Sequence, residues 1–126
     1  MSDLNLYLLI SGAIALFTAF LHLIAGHFHP VLPFFSTRMD DRVKGTFYAC
    51  WHMVTVLLFA SAARLLFSAY VPVDALSVQM LSGQFILFGL VFLAVGRSLK
   101  IKRAWVRLPQ WILLLPIGVF GFLGSV

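Results

Sequence analysis

Two of the four histidines, His22 and His52, stand inside long apolar runs. A neutral imidazole can donate from one ring nitrogen and accept at the other, ligate a metal, or exchange a proton near neutral pH. Ionisable side chains are rare in membrane spans and usually functional where they occur. Helical spacing puts Thr18 one turn before His22 and Tyr48 one turn before His52. Three readings of the pair stay open. His22 and His52 can form a structural clasp, each ring satisfied by Thr18, Tyr48 or a backbone carbonyl. They can hold a metal ion or a haem as paired imidazoles. With Tyr48 and Thr18 they can also bind a ligand such as a quinone headgroup, or relay a proton.

Neighbouring motifs add little. Cys50-Trp51-His52-Met53 has copper-like composition, but successive helical residues point about 100° apart, so Cys50 and Met53 cannot both join His52 on one ion. His27-x-His29, beside Pro30, reads as a pair of interfacial residues, too short a motif to specify a metal site. The sequence contains no glutamate, and its four aspartates all fall outside the apolar runs. That excludes an antiporter built on a membrane-embedded carboxylate, and no Ser/His/Asp set can assemble. A metal hydrolase would need a carboxylate or third His beside His22 and His52. The expectation is therefore a protein without catalysis, and no cofactor is required, haem being the one kept open.

Those residues must be positioned by elements that cross a bilayer. Of 126 residues, 62% are hydrophobic and 10% charged, against roughly 45–50% and about 25% in soluble domains. About 20 apolar residues cross the roughly 30 Å of hydrocarbon, and four stretches qualify: about 6–26, 45–68, 76–96 and 108–126. The fold class expected is an all-α membrane protein, a four-transmembrane-helix antiparallel bundle in a single domain. No basic n-region precedes the first run, so that span is expected to be retained. The single cysteine, Cys50, allows no intramolecular disulfide.

Loop one holds His27 to Pro33 and a polar stretch from Ser36 to Lys44, where Thr37 and Asp40 predict a helix cap and Asp40 with Lys44 an i, i+4 pair. Loop two is a tight turn around Pro72 and Asp74. Loop three carries Arg97, Lys100, Lys102, Arg103 and Arg107. Loops one and three share a side and hold eight of the nine Lys and Arg residues. Basic residues near span ends stay cytoplasmic, which puts both termini and loop two on the outer side. The remaining cation, Arg64, snorkels near the outer end of span two. Basic residues that flank apolar runs are topology signals, so the net charge of +5 does not point to nucleic acid.

Helices in lipid associate through close packing and polar contacts. Span one places Ser11, Ala15, Thr18, His22 and Gly26 on one stripe; span two does the same with Tyr48, His52, Thr55 and Ala62. Ser82, Gly89 and Gly96 repeat every seven residues in span three, with Gln84 expected to bond another helix. In span four, Gly121 and Ser125 form a small-x-x-x-small pair near Gly118, and Pro116 predicts a kink. Packing is thus assigned to Ser11, Ala15, Gly26, Ser82, Gly89, Gly96, Gly121 and Ser125. His22 and His52 should lie at depths about 4 Å apart, at 1.5 Å per residue.

The stretches Thr18-Ala19-Phe20-Leu21-His22, Tyr48-Ala49-Cys50-Trp51-His52 and Pro116-Ile117-Gly118-Val119 together resemble motifs of the YgdD-like family of small four-span membrane proteins. That family shows Ala-Phe-Gly-Ala-His late in span one, Tyr-x-x-aromatic-His opening span two, and Pro-x-Gly-Gly in the last span. The resemblance implies the four-helix fold and marks His22, Tyr48 and His52 as its polar positions; it implies no activity. The expected role is a bacterial plasma-membrane accessory or structural subunit, in a homo-oligomer or with other membrane proteins. An electron-transfer bundle using His22 and His52 is the alternative. A small oligomeric channel, with Ser11, Thr18 and Ser82 lining a path, is the third reading.

Overall fold

The computed structural model describes residues 3–72 and 74–126; Val73, in the predicted turn of loop two, lies outside them. Among the described residues the chain is helical, with no strand. Helix α1 (Leu6–Gly26) passes through a π turn (His27–Val31) into α2 (Leu32–Phe35), and α3 (Asp41–Tyr70) and α4 (Ala75–Ser98) follow. A short α5 (Ala104–Arg107) precedes α6 (Trp111–Ser125). The runs Leu6–Phe35, Asp41–Tyr70 and Ala75–Ser98 are long and apolar enough to cross a membrane; Trp111–Ser125 is apolar but shorter.

Several boundaries differ from expectation. The first helical run continues through the residues assigned to loop one. Pro30 has no N–H and its ring would meet the carbonyl four residues back. The chain absorbs this by widening to a π turn, in which the Leu32 amide bonds the His27 carbonyl. Thr37 does not cap α3: its hydroxyl returns to the Phe34 carbonyl, and Asp40 itself is the cap, accepting from the Arg42 amide at 2.8 Å. Lys44 Nζ donates to the Phe35 carbonyl rather than pairing with Asp40. The last helix begins at Trp111, not at Leu108. Pro109 disfavours helical backbone in the residue before it, and Leu108 stands at φ −116°, ψ 72°.

The four longer helices pack antiparallel around a core that includes Leu8, Ala15, Leu58, Leu65, Phe85 and Ile117. Helix α1 is central, with α3 on one side and α6 on the other, and α4 packs against α6. Close approaches set the register. Gly12 meets Leu66 of α3, Gly124 meets Leu8 of α1, and Gly89 meets Leu115 of α6. Gly121 lies where Ser82 and Ser11 converge, so a Cβ there would collide with the Ser82 hydroxyl. Gly96 admits Ala104, which folds α5 back onto α4. Ser125 does not pack: its hydroxyl returns to the Phe122 carbonyl, and the close approach at that end is made by Gly124.

Asn5 ties one end together. Its Nδ2 donates to the Gly124 carbonyl at 2.7 Å, its amide to the Ala69 carbonyl at 2.9 Å, and its Oδ1 caps α1 at the Leu8 amide. Both ends of the described chain and the α3–α4 turn therefore share one end of the bundle, where Arg64 donates to the Ser77 hydroxyl at 2.8 Å. Helices α3 and α4 do not pack along their lengths, which leaves a seam between them. Gln84, seven residues after Ser77 and so on the same stripe, is half-buried and bonds no other described residue. The expected interhelical hydrogen bond is absent because the helix that stripe faces stands apart.

Candidate functional site

The polar cluster lies toward the basic end of α1 and α3. Gly26 and His22, one turn apart, make a flat patch on α1, and the Trp51 indole of α3 lies on it. A Cβ at Gly26 would stand inside that ring. The indole stacks on the His22 imidazole with centroids 3.8 Å apart and planes inclined by 16°. His22 Nε2 lies 3.2 Å from the Trp51 carbonyl. A carbonyl only accepts, so Nε2 carries a proton, and Nδ1 has no hydrogen bond to the described residues. The Thr55 hydroxyl donates to the same carbonyl at 3.2 Å.

His22 is half-buried, whereas His52 is exposed on the outer surface of α3. Its ring meets Tyr48 edge-on at 4.5 Å, and Tyr48 meets Phe35 in the same way at 5.1 Å. The two imidazoles come from the packed helices α1 and α3. They are not bonded to each other: His22 is held by Trp51, and His52 has no hydrogen bond to the described residues. Thr18, assigned as a partner for His22, donates instead to the Ile14 carbonyl of its own helix at 2.7 Å. The clasp is thus between His22 and the backbone of α3. Sequence reasoning missed Trp51, although Gly26 four residues after His22 was a signal that something broad had to lie there.

A haem ligated by both histidines does not fit this arrangement. One face of His22 is covered by the indole and its Nε2 is committed to a carbonyl, so axial ligation through Nε2 would break the contact between α1 and α3. Among the described residues no group of three or more His, Cys, Asp or Glu could hold a metal ion. Cys50 and Met53 are both exposed. His27 meets Phe28 edge-on in the π turn, and His29 is exposed.

Nor do the hydroxyls line a path. Ser11 donates to the Ile117 carbonyl and Ser82 to the Val78 carbonyl, each at 2.7 Å, and both are buried against Gly121. Side chains sealed inside one bundle cannot face a channel between copies. Comparison with protein-family models, curated proteins and solved structures finds no match.

Proposed function

We propose that the chain is a multi-pass protein of a bacterial plasma membrane with four spans. Its basic end is cytoplasmic and its termini face outward. It works without catalysis as a subunit of a larger assembly, made with further copies of itself or with other membrane proteins. The observation that carries this reading is two strongly polar side chains of apolar helices, His52 exposed on α3 and Gln84 half-buried at the seam between α3 and α4, without hydrogen-bond partners among the described residues. An amide or imidazole turned toward hydrocarbon is costly unless another polar group meets it. Such residues join helices in membranes. The resemblance to the YgdD-like proteins supports the four-span architecture and adds no activity.

Helix α6, with 15 residues, spans about 22 Å at 1.5 Å per residue. As a fourth span it would be completed by residues 108–110 alongside the end of α4.

The test is cross-linking in native membranes. In a Cys50→Ser background, Gln84→Cys and His52→Cys should each form adducts of discrete mass, and the exposed Leu87→Cys should not. Equal labelling at all three positions would overturn the reading. The quinone alternative draws on the openness of His52 and Tyr48 to the bilayer. It would be carried by stoichiometric quinone in an organic extract of the purified protein, lost in His52→Ala.

A further inference from the structure

We propose that a cavity at the basic end of α4 binds the phosphodiester headgroup of an anionic phospholipid. The cavity is a hollow open to the surface, with a volume of about 510 Å³, and is lined by Arg97, Lys100 and Arg103 together with Leu93, Ile101 and Trp105. Its shape comes from how α4 ends. Lys100 adopts the left-handed conformation at φ 52°, which turns the Ile101 amide back to the Gly96 carbonyl and the Lys100 amide to that of Arg97. Arg103 at φ 54° makes a second left-handed turn and starts α5. The two turns fold the loop against α4, so cations separated in sequence open onto one space. The Trp111 indole, donating to the Trp105 carbonyl at 2.8 Å, pins the far wall.

None of the three cationic side chains has an ion pair or hydrogen bond to the described residues. The aspartates at this end are Asp40 and Asp41, and Asp40 is spent capping α3. Three unpaired cations around one cavity match the phosphodiester of a lipid. Apolar Leu93, one turn toward the span from Arg97, lies where acyl chains would begin. An exposed indole, as at Trp105, is the side chain that settles at headgroup level. Basic pockets at the cytoplasmic ends of spans take such headgroups.

The inference rests on the reading that this end lies at the membrane surface. Lipid retention in detergent tests the cavity whichever way the chain faces, and release from membranes by alkaline carbonate without detergent would separately refute the spanning reading. Protein purified in a mild detergent would be loaded with phosphatidylglycerol or phosphatidylcholine and examined by native mass spectrometry. Phosphatidylglycerol should be retained selectively at about one per chain. Arg97→Gln with Arg103→Gln should weaken retention about 25-fold, at about fivefold for each basic residue near an anionic charge. Arg97→Lys with Arg103→Lys should keep most of it, and Arg38→Gln with Arg42→Gln should change little. Equal loss in the Arg38 and Arg42 pair would show diffuse attraction and overturn the site. So would equal retention of phosphatidylcholine. Displacement by inorganic phosphate at the concentration of the lipid would assign the cavity to free phosphate instead.

Discussion

A helical carbonyl already accepts from the amide four residues on, and that of Trp51 is approached by two further donors, His22 Nε2 and the Thr55 hydroxyl, each at 3.2 Å. The clasp between α1 and α3 therefore depends on His22, and His52 contributes only an edge contact with Tyr48. His22→Ala should lower stability in detergent by about 1–3 kcal/mol, through the lost bond and the lost stack. His52→Ala should stay within about 0.5 kcal/mol, as an exposed substitution without bonded partners does. Thermal unfolding of the two variants compares them directly, and equal losses would mean that the imidazoles share one network. Gly26→Val should also unfold early, by about 1–3 kcal/mol, because the added carbons occupy the indole's place. Near-ultraviolet circular dichroism would report the displaced Trp51.

At the scale of the helix, glycines divide by what stands above them. Gly89 faces Leu115, and Gly121 faces Ser82 on a neighbouring helix, whereas nothing lies within 4 Å of a Cβ at Gly45. Gly89→Leu and Gly121→Ala should each cost about 1–3 kcal/mol by overpacking. Gly45→Ala should stabilise α3 by about 0.5–1 kcal/mol through helix propensity. Denaturation midpoints falling in any other order would place the packing faces elsewhere. Lys100 holds a left-handed backbone that glycine adopts without a Cβ penalty. Lys100→Gly should accordingly raise stability by about 1 kcal/mol, which a thermal scan would detect; a loss would mean that the lysine side chain supports the turn.

For the molecule as a whole, charge and topology agree about its two ends. Asn5 joins the start of α1 to the ends of α3 and α6, and every Lys and Arg but Arg64 lies toward the opposite end. On the proposed orientation, in which the basic end is cytoplasmic, Asp74→Cys in a Cys50→Ser background should react with an impermeant thiol reagent added to intact cells. Lys102→Cys should react only after the membrane is opened. The reverse pattern would invert the orientation. Asn5→Ala removes an N-cap and the link to Gly124 together, so it should cost more than the roughly 1 kcal/mol of a cap alone. Thermal unfolding beside a conservative Asn5→Ser variant, which keeps a capping oxygen, would separate the two contributions.

Hydropathy by itself determined the helical class and the approximate runs of α1, α3 and α4. Inside hydrocarbon a backbone must bond within its own segment, so an apolar run of sufficient length has to be a helix. It also marked His22 as a polar residue needing a partner, and Ser11, Ser82, Gly89 and Gly121 as sites of close approach. Periodicity places residues on a stripe but does not say which helix that stripe meets. Only the tertiary structure decided that Trp51 holds His22, that Gly124 rather than Ser125 meets α1, and that Gln84 faces a seam. The continuation of the first helix past Pro30 was hidden for a related reason. Pro signals a break in α-helical bonding, and whether the chain stops or widens into a π turn depends on what the following residues can pack against. In lipid no apolar driving force selects one helix rotation over another. Steric fit at a few glycines and one indole makes that choice, and fit exists only once the helices are side by side.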